Sequence, residues 1–324
     1  MLATLLTRDW GLHVPVIGAP MSPMSGGKLA AALSSCGALG MIGVSSGQTV
    51  AQLDGDVDEY RRLAGARPFG IGLMTWAMEA RPDLFEATLR AKPFLVAMSF
   101  GDPARYVARI RAAGCRVASQ VQDRASALVA EAAGVDLVVA QGTEAGGHTG
   151  GVGTLPLLQI VLRSVRLPVV AAGGIATGLG LAAVLAAGAQ GAWIGTPFLA
   201  AEEARNSATA RRRLLDAKET DTIHTRVFDV AQRIPWPQQF PGRALKNDFT
   251  GRWSGHEEEL ARDDEARKAF QQAKQAEDYG TAVLYAGQAV GLVEKVEPAA
   301  AIVARMVAEA AEALRVAKGI VTEG

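Results

Sequence analysis

The fold is decided by the stretch PVVAAGGIATGLGLAAVLAAGAQGAWIGTPF, residues 168–198. It begins with a short apolar run that ends in glycines, and its middle carries apolar residues at helical spacing. A second apolar run closes it. Both runs are apolar throughout rather than alternating, which indicates strands buried on both faces, as in a parallel sheet covered by helices. The stretch therefore predicts one strand–helix–strand unit of an α/β fold.

The same rhythm recurs along the first two-thirds of the 324-residue chain. The apolar runs read VPVIGAPM, ALGMIGVSS, PFGIGLMTW, PFLVAMSFG, CRVASQVQ, DLVVAQG, PVVAAGG and GAWIGTPF, with helical segments between them. Eight such units in about 200 residues are typical of a (β/α)8 TIM barrel. The rival fold is a doubly wound open sheet. Its dinucleotide fingerprint is missing, since the first turn reads GAPMSPMSGG.

The composition changes after Ala200, where Arg, Glu, Asp, Gln and Lys become frequent and the strand–helix rhythm stops. We predict that residues 206–297 form a largely helical extension on the substrate side. Residues 1–205 and 298–324 would form the barrel, with the last helix packed back on it.

Charge and cysteine content indicate the class of partner. Lys plus Arg and Asp plus Glu number 33 each, so no overall field favours nucleic acid or an anionic membrane, and a small-molecule substrate is expected. Cys36 and Cys115 show no metal or redox spacing and are predicted to be reduced. The chain start lacks a secretory pattern, and the apolar runs stop short of the ~20 residues that span a bilayer. These features predict a cytoplasmic protein, with a homodimer possible.

The ends of the seventh and eighth strands predict a phosphate site. AAGGIATG offers backbone N–H groups at Gly173, Gly174 and Ile175, and IGTPF offers Gly195 and Thr196 with its hydroxyl. N–H groups at a helix start bind phosphate, and these two loops are where TIM barrels commonly hold one. For either loop taken alone, the alternative is that its glycines only turn the chain and bind no phosphate.

Glycines after the first and sixth strands leave room for a flat ring beside that phosphate. The four histidines are scattered without metal-ligand spacing, so no metal is expected. A phosphorylated organic cofactor remains, and FMN suits its size and the missing dinucleotide fingerprint.

Three loops in order carry a resemblance to a known family: QGTEAGGHTG, then VVAAGGIATG, then AWIGTPFLA. With the N-terminal VPVIGAPMSPMSGGKLAAALSSCGALGMIG, the segment GRALKNDF and YAGQAVGLV, the chain resembles nitronate monooxygenases, formerly called 2-nitropropane dioxygenases. That resemblance covers most of the chain. It implies a barrel that binds FMN and oxidises alkyl nitronates with molecular oxygen.

By the same resemblance a loop histidine, here His148, acts beside the flavin. Met21 and its neighbours would face the ring, Gln120 would lie near the pyrimidine edge, and Gly174 would help to hold the phosphate. The full predicted cofactor set is Ala19, Pro20, Met21, Gln120, Gly146, Gly147, Ala172, Gly173, Gly174, Gly195 and Thr196. Many family members carry Asn where this chain has Gly72, so one polar contact is expected to be missing.

The surroundings of His148 support a functional role, because glycines at 146, 147, 150 and 151 remove bulk around the imidazole and would let it stand over a flat ligand. An imidazole, which titrates near pH 6.5, can deprotonate a nitroalkane or donate to a nitronate. Glu144 is expected to hydrogen-bond its own loop. His13, His224 and His256 are expected to be structural or surface residues.

Two other functions fit the same residues. One is an NAD(P)H-dependent FMN reductase of quinones or enoyl thioesters. The other is a non-catalytic FMN-binding protein.

Overall fold

The computed structural model describes residues 2–320 of the chain. The barrel strands are β1 Val16–Gly18, β2 Gly40–Gly43, β3 Phe69–Met74, β4 Leu95–Ser99, β5 Arg116–Val121, β6 Leu137–Gln141, β8 Val169–Ala172 and β9 Ala192–Ile194. Three further strands lie outside the barrel: β7 Gly147–His148, β10 Thr222–Thr225 and β11 Gly242–Leu245.

The barrel strands are all parallel and follow the order β1-β9-β8-β6-β5-β4-β3-β2. The ring closes between its first and last strands. There the Gly18 N–H donates to the Leu39 carbonyl at 2.9 Å, and the Leu39 N–H donates to the Val16 carbonyl at 3.0 Å. The predicted (β/α)8 barrel is confirmed, because each of the eight apolar runs forms one strand of this ring.

Helices surround the barrel and build most of the extension. Those of the barrel are α1 Leu5–Arg8, α2 Gly27–Ser35, α3 Val50–Ala64, α4 Thr75–Met78, α5 Pro82–Ala91, α6 Ala104–Ala112, α7 Arg124–Ala133, α8 Thr154–Ser164, α9 Gly178–Ala186, α10 Thr196–Leu199 and α16 Ala299–Lys318. Those between α10 and α16 are α11 Ala208–Leu215, α12 Val227–Gln232, α13 Asp248–Trp253, α14 Glu257–Arg262 and α15 Asp264–Gln275, followed by a 3-10 helix at Gln288–Leu292.

The sequence explains where a helix such as α7 begins and ends. The Asp123 carboxylate accepts a hydrogen bond from the Ser126 N–H at 2.7 Å, which satisfies a free donor at the first turn. At the other end Gly134 adopts φ +81°, a left-handed conformation that favours glycine. Ala127 and Ala130 are buried between these ends, so the helix packs on the sheet through small residues.

Two apolar clusters hold the barrel together. The inner one fills the ring with side chains such as Ile17, Met41, Val139 and Trp193. The outer one lies between the strands and the helices. Because side chains alternate along a strand, the residue two positions after each inner residue points to the same interior. The layer at the carboxyl ends of the strands can therefore be identified directly.

Residues 206–297 combine helices with two strands that the sequence did not predict. β10 and β11 pair in antiparallel fashion, and β11 also pairs with β7, so that Gly242 lies opposite His148. A strand of four residues carries too little periodicity to be recognised alone, and these strands are stabilised by partners distant in sequence. The division of the chain at residues 206 and 297 stays a prediction.

The final helix α16 packs against α9 and α2, with Ile302 and Met306 buried in the outer cluster. No helix within residues 2–320 is both long and apolar enough to cross a membrane. Cys36 and Cys115 are free thiols, and burial raises the pKa of each. A cytoplasmic location stays a prediction.

Candidate active site

The innermost layer at the carboxyl ends of the strands has two unlike halves. On β9, β1, β2 and β3 the inward positions are Gly195, Ala19, Gly43 and Gly72, with Ala172 on β8 beside them. On β4, β5 and β6 they are Ser99, Gln120 and Gln141, all buried. One half is therefore lined by backbone and small side chains, with Pro20 packed on Gly72, and the other half by hydroxyl and amide groups.

The polar half supports the loop that follows β6. The Gln122 amide donates to the Gln141 carbonyl oxygen at 3.0 Å, and the Gln141 amide donates to the His148 backbone carbonyl at 3.1 Å. All three side chains are buried. The position of His148 is thus set from the barrel by a relay of hydrogen bonds rather than by the loop alone.

Glu144 fixes the same loop to the start of α8. Its carboxylate accepts from the Thr154 N–H and from the Thr154 hydroxyl, each at 2.8 Å, so it caps the helix. Its backbone carbonyl accepts from the Gln288 N–H at 2.9 Å, which ties the loop to the extension. The prediction that Glu144 bonds its own loop is corrected, because its carboxylate bonds the first residue of α8 instead.

Two positions of this loop require glycine, each for a different structural reason. A Cβ at Gly146 would lie 2.7 Å from backbone atoms of Ala286 and Gly287, so the extension approaches too closely for any side chain. Gly147 has φ +76°, which favours glycine. Both residues are partly exposed and lie beside His148.

The His148 ring is buried, with 7% of the residue exposed, and bonds a carboxylate from the extension. Its Nε2 lies 2.9 Å from Oδ1 of Asp229, which is on α12 and is only 3% exposed. The second carboxylate oxygen, Oδ2, has no hydrogen-bond partner within residues 2–320. Among residues 2–320 the imidazole is therefore the one hydrogen-bond partner of the Asp229 carboxylate.

Aromatic side chains enclose the imidazole. Trp236 stacks on one face of it, with ring centroids 3.5 Å apart and planes 9° apart. Tyr285 lies at 5.7 Å and Phe100 at 6.5 Å between centroids. Burial, and secondarily the charge of Asp229, raises the pKa of Tyr285, so this phenol is neutral. Because Trp236 covers one face of the ring, that face is not available to a ligand.

The seventh strand end differs in one respect from the helix start that the sequence predicts. Gly173 and Gly174 have φ +102° and +71°, but α9 begins only at Gly178. That helix start is satisfied by the Thr177 hydroxyl and by the Glu309 carboxylate. The N–H of Gly174 makes no hydrogen bond within residues 2–320. A phosphate here would meet backbone N–H groups of a glycine turn, not a helix terminus.

The eighth strand end agrees with the predicted arrangement. Gly195 precedes the first helical residue of α10, Thr196, whose N–H lacks a partner in the described chain. The Thr196 hydroxyl oxygen accepts from the Gly287 N–H at 3.0 Å, so its hydrogen stays free to donate. A Cβ at Gly195 would approach the Met21 sulfur at 3.3 Å.

The first strand end lies next to Gly72. A Cβ at Gly72 would collide with the ring of Pro20, so the proline occupies the space that a side chain at 72 would need. Ala19, Pro20 and Met21 are all partly exposed at the rim. The space that an Asn side chain at position 72 would need is thus occupied by Pro20 in this chain.

The remaining histidines lie apart from this arrangement. His13 and His256 are exposed. His224 on β10 is partly buried, and its Nε2 lies 2.8 Å from the Pro241 carbonyl and 2.9 Å from the Thr149 hydroxyl. Burial and the nearby Arg243 lower the pKa of His224, so it stays neutral and structural.

The residues predicted for the site follow, or lie close to, the carboxyl ends of the barrel strands. The sequence reasoning missed Asp229, Trp236 and Tyr285, all supplied by the extension. A usable signal existed for two of them. Asp229 is the one charged residue in the apolar run VFDVA, and Trp236 stands between prolines in PWPQQFP.

Comparison with known proteins agrees with this architecture. A profile of the family described as nitronate monooxygenase matches residues 85–309. A nitronate monooxygenase of Paraburkholderia phytofirmans is 31% identical, and the match covers 91% of this chain and 92% of that protein. A second relative, from Rhodococcus jostii, is 33% identical over 70% of this chain and 64% of its own length. It is named (3aS,4S,5R,7aS)-5-hydroxy-7a-methyl-1-oxo-octahydro-1H-indene-4-carboxyl-CoA dehydrogenase.

Two solved structures resemble the whole chain. FabK of Thermotoga maritima superposes with a TM-score of 0.86 at 28% identity, covering 99% of this chain and 100% of that one. The nitroalkane oxidase of Streptomyces ansochromogenes superposes with a TM-score of 0.81 at 30% identity, covering 95% and 98%. The likeness therefore includes the extension as well as the barrel.

Proposed function

We propose, because this chain belongs to the nitronate monooxygenase family, that it oxidises alkyl nitronates with FMN and molecular oxygen, and that His148 acts on the substrate. Membership of the family makes the chain a flavin-dependent oxidoreductase of small molecules. The observation that carries the finer proposal is the buried imidazole of His148, held at the barrel opening by Asp229.

The rim of the barrel fits a flavin. Gly43 and Gly72 let the segment from Pro20 to Ser22 lie directly against the strand ends, and a Cβ at Gly195 would enter the space beside Met21. Within residues 2–320 the N–H groups of Gly174 and Thr196 have no partner, and together with the Thr196 hydroxyl they suit a phosphate. Gln120 offers an amide to a polar ring edge. A flavin held by these residues would supply the redox chemistry between substrate and oxygen.

We expect the protein to release FMN, and not FAD, on denaturation. The reason is that the phosphate loops occur without a dinucleotide fingerprint, so the sequence shows no place for an adenylate half. Chromatography of the supernatant after heat denaturation measures the released flavin. FAD in the supernatant would contradict the cofactor assignment. A colourless protein that stays flavin-free after incubation with FMN would contradict the whole proposal.

The chemistry required of His148 follows from the substrate. A nitronate carries negative charge on its nitro oxygens, which a protonated ring stabilises through an N–H at Nδ1 while its other N–H bonds Asp229. A neutral nitroalkane must first lose its α-proton, which a neutral imidazole accepts. In both cases the working atom is Nδ1, because Nε2 already bonds Asp229. The stacked Trp236 excludes water from one face of the ring.

A reductase of thioesters is the second candidate function. The Rhodococcus jostii relative favours the thioester as substrate class, since its name specifies a carboxyl-CoA, although that name describes a dehydrogenase. Such a reductase would take electrons from NAD(P)H instead of from the substrate. Use of NAD(P)H, a homodimer and the cytoplasm as the location all stay predictions.

Anaerobic flavin bleaching separates the candidates. We expect propyl-2-nitronate to bleach the flavin absorbance without oxygen, and admission of air to restore it. Bleaching by NADH or NADPH, with none by nitronate, would contradict nitronate oxidation and favour the reductase. A flavin that neither compound bleaches would indicate a binding protein without this chemistry.

A further inference from the structure

We infer that Asp229 is a positioning residue that fixes the tautomer of His148, placing the hydrogen on Nε2 and presenting Nδ1 to the substrate. The inference deepens the proposed function, since it presumes that the His148 ring meets a substrate. It assigns to the extension a part in the reaction, because Asp229 lies on α12.

The hydrogen bond decides which nitrogen carries hydrogen. An ionised carboxylate can only accept, so the 2.9 Å contact between Asp229 Oδ1 and His148 Nε2 requires an N–H at Nε2. In the neutral ring the lone pair is then on Nδ1. No group within residues 2–320 makes a hydrogen bond to Nδ1. The free nitrogen is the one left for chemistry.

The ring cannot easily exchange its two nitrogens by turning over. Trp236 stacks on one face at 3.5 Å between centroids. On the Nε2 side, a Cβ placed on Gly242 would lie in van der Waals contact with Nε2 and Cε1, so β11 lies beside that edge of the ring. The packing and the carboxylate therefore select the same orientation.

Asp229 is the charged group in direct contact with the ring. Of the other titratable groups around it, Tyr285 is neutral because its pKa is raised, and His224 on β10 is neutral because its pKa is lowered. Arg243 on β11 lies one residue from the pairing partner of His148 and directs its guanidinium to Thr143 and Thr222. Burial lowers the pKa of Arg243. Glu144 is engaged at the start of α8.

The test compares Asp229→Asn with the wild type. An asparagine amide can donate to Nε2, which would move the ring hydrogen to Nδ1 and remove the lone pair from the substrate side. Nitrogen-15 NMR of histidine-labelled protein reads the tautomer directly, and His148→Asn identifies the signals of the ring. We expect Nε2–H in the wild type, Nδ1–H in Asp229→Asn, and a loss of kcat/KM for nitroalkane on the order of 10²-fold or more.

Asp56→Asn is the matched control. Asp56 is also an aspartate with 3% exposure, and its carboxylate pairs with Arg205 and makes no hydrogen bond to His148. The control shows whether burying an asparagine amide in place of any aspartate has an effect. Such an effect would not depend on the contact between Asp229 and His148. We expect this variant to leave the tautomer of His148 and the oxidation rate unchanged.

Several outcomes would overturn the inference. A wild-type ring with its hydrogen on Nδ1 does so without any variant, even if Asp229→Asn fails to fold. A folded Asp229→Asn variant that loses activity but keeps the wild-type tautomer assigns Asp229 a merely structural role. Because the tautomer is read in the resting protein, a failure of nitronate to bleach the flavin is a separate result that concerns the proposed function alone.

Discussion

His148→Asn is expected to lower kcat/KM for a neutral nitroalkane by about 10²-fold or more, the usual contribution of a positioned general base. Asparagine preserves a hydrogen bond toward Asp229 but has no lone pair basic enough to take the α-proton. With nitronate as substrate the loss is expected to be smaller, because deprotonation has already occurred. Oxygen uptake with each substrate form measures both rates.

The pH profile separates the two roles of the ring. If His148 accepts the α-proton, kcat/KM for nitroalkane in the wild type rises with pH, and this rise is absent in His148→Asn. If the ring donates to nitronate, the rate holds or falls over the same range. His256→Asn, the same exchange at an exposed histidine, serves as the control. Equal profiles in wild type and His148→Asn on both substrates, from pH 6 to 9, would exclude a proton transfer at His148.

Gly174→Val is expected to weaken FMN binding by about 10- to 100-fold, the effect of losing one charge-assisted hydrogen bond to phosphate. The cause is conformational, because Gly174 has φ +71°, where a branched side chain is disfavoured. A Cβ there would meet Glu144 only at 3.4 Å, which is ordinary contact. The turn must change, and its N–H then no longer faces the ligand. Titration of the flavin-free protein with FMN gives the dissociation constant.

Gly134→Val tests whether strain alone explains such a loss. Gly134 has φ +81°, and a Cβ there would meet nothing within 4 Å. It precedes β6 and so lies at the opposite end of the barrel from the phosphate loops. We expect this variant to lower the melting temperature and to leave the dissociation constant for FMN unchanged. Equal FMN affinity in Gly174→Val and the wild type would mean that the seventh loop only turns the chain.

The barrel could be predicted because each of its strands is a continuous apolar run, as burial on both faces requires. Its rim could be predicted for a related reason. Residues such as Gly174 and Thr196 directly follow their own strands, so the order of the chain places them at one edge. The error at the seventh loop arose because a glycine turn separates Gly174 from the helix that starts at Gly178.

The rest of the site could not be predicted because it depends on contacts between distant segments. Nothing near Asp229 in the sequence indicates that its partner is His148, and the pairing of β7 with β11 becomes evident only in three dimensions. Trp236 is part of an irregular segment, where no periodicity predicts a direction for the side chain. These residues complete a site whose cofactor side belongs to the barrel.

During translation the eight barrel strands leave the ribosome before the segment that completes the active site. β9 ends at Ile194, whereas Asp229 and then β11, which begins at Gly242, are synthesised later. When β9 has been synthesised, the His148 ring therefore still lacks its carboxylate, its stacked indole and its pairing strand. The helix α16, which packs on α9 and α2, is synthesised later still. Both the surroundings of His148 and the outer packing of the barrel thus depend on the last third of the chain.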